Sequence, residues 1–303
     1  MSASRHPGLG YTAGTVPIAV ITLAFDPVFR LTDDLVVRWS TIALAAVLVV
    51  VLVVAGMAAR TARLRADDLL SIAVGAVPGA IVAGRLGYVA LHPEAFVAGP
   101  GTILDPTVGG LELGAGVVGG ILTATYVAIL LAAPVGRWAH LAAVPVLLAI
   151  GGGKLAMVLG GGGQGLPTDV AWATAYAGAG PWGSLAPDLP SHPAQAYEGI
   201  GTLVLAVVLM LATRGGAFRS RDGRLLLVAL ADWGLVRAAV SVTWRDPVST
   251  PPFPGGGWIA VAIAIGGLGL AVLATIVRRR QRGAQERSAQ EPAWPEPGSR
   301  PPF

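Results

Sequence analysis

The chain has 303 residues, 54% of them hydrophobic and 13% charged, with a mean hydropathy of +0.68. An average soluble domain does not reach such values, so the sequence is that of an integral membrane protein. It contains no Cys and 4 scattered His, which excludes disulfides, thiolate nucleophiles and a clustered metal site, so no metal and no cofactor are expected. The net charge of +4 comes from Arg near the ends of apolar runs, which speaks of membrane topology and not of nucleic-acid binding.

Residues 1–39 are short apolar pieces broken by Gly8, Gly10, Gly14, Pro17, Asp26 and Pro27. The run from Pro17 to Phe25 is too short to cross a bilayer, and no small-residue cleavage site follows it. This segment reads as an N-terminal arm on the membrane surface.

From residue 40 to 59, between Arg38 and Arg60, the sequence is uninterruptedly apolar, with the length of about twenty residues that a helix needs to cross the hydrocarbon. Further spans are expected at 69–91, 110–133, 141–159, 197–213, 225–244 and 258–277, which makes seven. The expected architecture is therefore an all-α seven-transmembrane helix bundle over residues 40–277, with no second domain. Arg60, Arg63 and Arg65 follow the first span, and Arg137 lies between the third and fourth. Arg214, Arg219, Arg221 and Arg224 lie between the fifth and sixth, and Arg278, Arg279, Arg280 and Arg282 follow the seventh. The opposite loops, 92–109, 160–196 and 246–257, contain no Lys or Arg. Positive charge inside then puts the C-terminus in the cytoplasm and the N-terminus outside. The Gly- and Pro-rich outer segment 160–191 carries Trp172, Tyr176 and Trp182 as interfacial anchors and reads as a lid, and residues 278–303 read as a disordered cytoplasmic tail.

An ionisable group at the centre of a membrane helix costs roughly 2.5 to 3.5 kcal/mol on insertion scales, so each one needs a partner, a wet cavity or a ligand. Arg85, Lys154, Asp232 and Arg237 are such groups, while His192, Glu198, Glu112 and Arg245 sit at the outer ends of their spans. Counted along the spans, most of these converge at one depth beneath the outer headgroups. Arg85 and Arg245 also suit snorkelling to headgroups, and Asp232 suits a satisfied core contact. Lys154, the only Lys in the chain, has small neighbours and no acid nearby in sequence, so it is expected to be unpaired and functional. Gly151-Gly152-Gly153-Lys154 is followed by Leu155 and not Ser or Thr, so it is no phosphate loop. The last span has no Lys for a retinal Schiff base.

The polar elements carry a resemblance. Arg85-Leu86-Gly87-Tyr88, His192-Pro193-Ala194-Gln195-Ala196-Tyr197-Glu198, and Asp232-Trp233-Gly234-Leu235-Val236-Arg237 with Arg245 beyond it resemble the prolipoprotein diacylglyceryl transferase family, as do Asp26-Pro27-Val28 and Arg38-Trp39. The pattern HPxQxYE is the specific one. The resemblance implies a multi-pass bacterial membrane enzyme that moves the diacylglyceryl group of phosphatidylglycerol to the lipobox cysteine of a prolipoprotein signal peptide, releasing glycerol 1-phosphate. It implies catalytic roles for Arg237, Lys154, His192 and Glu198, and substrate binding by Arg85, Tyr88, Gln195, Tyr197, Arg245 and Glu112. Cations suit the phosphate and the leaving group, and guanidinium suits bidentate phosphate contact. Three positions depart from the family pattern. Gly114 stands where the family has His, Gly153-Lys154-Leu155-Ala156-Met157-Val158-Leu159-Gly160 stands where it reads GRxGNFxN, and Ser241 stands where a Glu follows the sixth-span Arg. His192 or Glu112 would then act as base. The alternative reading is a noncatalytic or changed-specificity phospholipid-binding protein of the same fold.

Overall fold

The computed structural model describes residues 20–290 except 33, 34, 98, 106, 107, 179 and 249. Half of the expected arm and the end of the expected tail lie outside the described residues. Within them the chain is mostly helical. The long helices are α1 (Trp39–Thr61), α2 (Ala66–Leu91), α3 (Leu113–Leu130), α4 (Val135–Val158), α5 (Ala194–Arg214), α6 (Arg224–Ser241) and α7 (Gly255–Gln290). Six of them are long and apolar enough to cross a membrane. The other, α6, has 18 residues and carries Arg224, Asp232 and Arg237.

The helix ends differ from expectation for local reasons. Helix α3 begins at Leu113 and not near 110, because the Glu112 side chain caps it, Oε2 accepting from the Ala115 N–H at 2.5 Å. Helix α4 begins at Val135, right after Pro134, so Arg137 lies in its first turn, where its guanidinium donates to the Ala62 carbonyl. Helix α6 stops at Ser241 and not at 244, because the chain turns into the outer loop, where the Thr243 carbonyl accepts from the Leu166 N–H at 2.7 Å. Helix α7 does not end at the Arg278–Arg280 cluster, since Arg, Gln, Ala and Glu are good helix formers and carry it on to Gln290.

Small residues set the helix spacing. In α2, Gly75, Gly79, Ala83 and Gly87 recur every fourth position, and in α3 Ala115, Gly119, Thr123 and Val127 do the same. A Cβ on Gly79 would collide with the Gly119 carbonyl and Thr123, and a Cβ on Gly87 would meet Ala115 at 2.6 Å. The two helices therefore pack antiparallel, backbone against backbone. Helix α6 runs antiparallel along α7: Arg224 Nη1 donates to Thr275 Oγ1 at 3.0 Å at one end, and Gly257 packs against Ser241 at the other. The buried core joins Ala143, Leu147 and Ile150 of α4, Ala206 and Leu209 of α5, and Leu230 and Trp233 of α6. Large apolar side chains of α1 and α2 such as Val49, Val53, Leu70 and Val74 point outward, as lipid-facing helices require.

Two small sheets lie off the bundle. β1 (Val20–Ala24) pairs in parallel with β4 (Ala173–Ala177), which ties the N-terminal arm to the 160–191 loop. β2 (Val28–Arg30) pairs antiparallel with β3 (Val36–Arg38), just before α1.

Candidate active site

A buried charge cluster joins three helices and the start of a fourth. From α6, Arg237 places Nη1 2.8 Å from Glu198 Oε1 and Nη2 2.9 Å from Glu112 Oε1. From α4, Lys154 Nζ lies 2.8 Å from Glu198 Oε2. Glu198, in the first turns of α5, is fully buried and binds one cation with each oxygen. Lys154 is thus not the unpaired cation expected from sequence, because its acid lies on a different helix. The Trp244 ring covers the pair, 4.5 Å from the Arg237 guanidinium carbon and 5.8 Å from Lys154 Nζ. Two cations and two carboxylates leave the cluster formally neutral. One strong donor is left over, since Arg237 Nε is buried without a protein partner among the described residues.

The cluster forms part of the wall of a cavity of about 1050 Å³. Lys154, Arg237, Glu112, Trp244, Tyr88, His92 and Asp246 line its polar part, and apolar side chains of α1, α2, α3 and α4 line the rest. An amphiphile with an anionic head and long apolar chains matches this division of polarity. The sequence reading passed over His92, Trp244 and Asp246, which look like interfacial residues at the ends of spans. His92 Nδ1 lies 3.1 Å from the Tyr88 carbonyl, and its ring stacks on Tyr88 at 4.3 Å. A carbonyl only accepts, so the neutral ring carries its proton on Nδ1 and leaves Nε2 as an acceptor.

The other expected site residues fall into separate groups. Arg85 does not line the cavity; it donates to the carbonyls of Thr102, Ile103, Asp105, Val108 and Gly110 at 2.6 to 3.2 Å and lies over the Phe96 ring. Its donors fold the 99–110 segment against α2. Arg245 likewise organises the 160–191 loop, donating from Nε to the Gly165 carbonyl at 2.6 Å and from Nη2 to Ser191 Oγ at 2.8 Å. His192 Nδ1 lies 3.3 Å from the Tyr197 hydroxyl, which also accepts from Trp172 Nε1 at 2.6 Å. Gln195 Nε2 donates to the Tyr176 hydroxyl at 3.0 Å. Burial pushes the Tyr176 pKa up to about 12, although the Gln195 bond works in the opposite direction. His192, Gln195 and Tyr197 thus join the loop to α5, and the cavity wall is made without them.

Gly114, at the position of the family's His, faces α7. A Cβ there would stand 2.8 Å from Ile259 Cγ2 and 3.1 Å from both Ile263 Cδ1 and Glu112 Oε2. Apolar side chains fill the space that an imidazole would need.

Known proteins similar to this chain match it over most of its length. A family profile described as prolipoprotein diacylglyceryl transferase matches residues 27–273. A phosphatidylglycerol–prolipoprotein diacylglyceryl transferase of Beijerinckia indica is 30% identical over 80% of this chain and 89% of its own length. Its counterpart in Gluconobacter oxydans is 29% identical over 82% and 93%, and that of Trichormus variabilis is 26% identical over 88% and 95%. With the profile running from the arm through α7, the chain belongs to the prolipoprotein diacylglyceryl transferase family.

Proposed function

We propose that this protein transfers the diacylglyceryl group of phosphatidylglycerol to the lipobox cysteine of prolipoproteins, a step of lipoprotein biogenesis. The carrying observation is the pair of cations, Lys154 and Arg237, in the wall of a large, mostly apolar cavity. The acyl chains occupy the apolar part, and the phosphate meets Lys154 and the free Nε of Arg237. The thiol gives up its proton, the sulfur attacks the glyceryl carbon that carries the phosphate ester, and the C–O bond breaks with its electrons passing to the phosphate oxygen. Glycerol 1-phosphate leaves, and the two cations stabilise its growing charge.

Glu198 holds both cations in place, and Glu112 fixes the other side of Arg237. Glu112 has both oxygens engaged, one by Arg237 and the other by the Ala115 N–H. His92 lines the cavity as well, and its Tyr88 contact leaves Nε2 free to accept a proton. We assign the thiol proton to His92. His192, which does not line the cavity, belongs with Tyr197 and Trp172 in the outer loop. Arg85 and Arg245 serve as organisers of outer loops, because their donors are committed to protein acceptors.

The membrane arrangement is seven spans with the arginine-bearing loops in the cytoplasm. Helix α6 is short of apolar character for a span, but it lies antiparallel along α7, with contacts at both of its ends. Of its charged residues, Arg237 is buried, Arg224 is tied to Asp222, Ser220 and Thr275, and Asp232 is half-buried.

A transfer assay with phosphatidylglycerol and a lipobox peptide tests the cation pair. Lys154→Arg keeps a cation and is expected to retain transfer, while Lys154→Met is expected to lose it by about a hundredfold or more, the scale of one removed charge-stabilising group. Glu198 keeps Arg237 in that variant but loses its other partner, so a melting curve recorded beside the assay separates loss of chemistry from loss of fold. Full activity of Lys154→Met would take Lys154 out of the mechanism, and absence of transfer by the parent itself would favour a protein that only binds phospholipid.

A further inference from the structure

A second concavity lies at the other end of α4. It has a volume of about 600 Å³, shares no lining residue with the large cavity, and is walled by His140, Arg214, Phe218, Arg219 and Arg221. His140 precedes Lys154 by 14 residues on the same helix, so the two sites are about 20 Å apart along its axis.

The loop that forms this pocket is held in an uncommon shape. Phe218 at φ +56° and Arg221 at φ +45° are non-glycine residues in the left-handed region, beside Gly216 and Gly223. The Phe218 side chain packs on the bundle core, and the Ala217 N–H donates to the Ala212 carbonyl at 2.9 Å. The loop is thereby fixed so that its arginines face one concavity. Asp222 is the nearby acid, and its carboxylate is taken by Arg224 at 2.8 Å and Arg278 at 2.9 Å. Arg214, Arg219 and Arg221 make no ion pair among the described residues. His140 Nδ1 is buried without a protein partner there.

We propose that this pocket binds a phosphate-bearing anion, held by the forks of Arg214, Arg219 and Arg221 with His140 as a further polar partner. Three guanidinium groups without a counter-charge on a concave wall suit the oxygens of one phosphate. Arg214 closes the last turn of α5, a membrane-spanning helix, so the pocket lies at the level of lipid headgroups. An anionic phospholipid headgroup is the favoured source, with a free phosphate as the other. The site is separate from the diacylglyceryl-transfer cavity, and it does not depend on the assignment of that chemistry.

The test counts and titrates bound lipid by native mass spectrometry on the full chain in neutral detergent, with phosphatidic acid and phosphatidylcholine as probes. The parent should hold one more phosphatidic acid than the Arg214→Gln/Arg219→Gln/Arg221→Gln variant, or hold it roughly tenfold to a hundredfold more tightly. The corresponding triple Lys variant keeps the charges and should retain most of this binding, which separates loss of the site from loss of the fold. Lys154→Met should leave this site unchanged. Competition by millimolar inorganic phosphate would identify a small-anion site, and absence of competition a headgroup site. If the triple Gln variant binds phosphatidic acid as the parent does, or if phosphatidylcholine binds the pocket equally well, the proposal is overturned.

Discussion

The site is built from residues whose membrane cost could be read in the sequence, but whose partners could not. Lys154, Arg237 and Glu198 stand out because each is expensive in hydrocarbon without compensation. Their mutual pairing was hidden, because Glu198 lies on α5 and Glu112 just before α3, far from either cation along the chain. Arg85 and Arg245, whose family motifs suggested phosphate contact, donate to loop carbonyls and hydroxyls. His92 carried no motif at all, and only its place in the cavity wall singles it out. If His92 accepts the thiol proton, His92→Gln should lower the transfer rate by about a hundredfold, within the usual range for a general base, while phosphatidylglycerol KM changes little. A variant with the parent's rate would return the role to Glu112.

The bundle's elements obey two different rules, and each gives its own prediction. Helices α2 and α3 touch through glycine, so volume at the contact should be felt directly. Gly119→Leu would drive a side chain into Ala83 and the Gly79 backbone, and it should destabilise the bundle by about 1–3 kcal/mol or more in mixed-micelle unfolding. Gly266→Leu, where nothing lies within 4 Å of the added carbon, should stay within about 0.5 kcal/mol of the parent. The α6–α7 pair is also fastened by charge at the arginine-rich end. Burial raises the Asp222 pKa, but the Arg224 N–H, the Ser220 hydroxyl and the guanidinium groups of Arg224 and Arg278 outweigh it and hold it below the ordinary aspartate value. A depressed carboxylate contributes stability above its unfolded pKa and loses it as the pH falls through the folded one. Asp222→Asn should therefore melt lower than the parent at neutral pH, and the gap should close below about pH 4. A gap that persisted in acid would mean that shape, not charge, matters there. The helices themselves were legible, because apolar runs of span length leave little choice. Their ends were not, since Glu112 caps a helix inside an apolar run, Pro134 starts one just before Arg137, and the basic end of α7 is as helix-forming as its apolar part.

At the scale of the whole molecule, charge asymmetry and contacts point to the same sidedness. Arg137 donates to the Ala62 carbonyl, which joins the start of α4 to the turn after α1. Asp222 joins the loop before α6 to Arg278 of α7. The arginine-bearing ends thus meet one another, while the Lys- and Arg-free 160–191 loop meets β1 and Arg245 beyond the far end of α6. The proposed seven-span arrangement has α6 cross with α7, and it would put the charge cluster and the 160–191 loop on the outer side. A reporter that works only in the cytoplasm should be active when fused after Arg282 and silent when inserted near Gly163. Because the two fusion points lie on opposite sides only if the number of crossings from the 160–191 loop to the end of α7 is odd, the pair also counts α6. Activity at both points would remove α6 from the set of spans, and activity at Gly163 alone would invert the protein and put the cluster on the cytoplasmic side, out of reach of its acceptor.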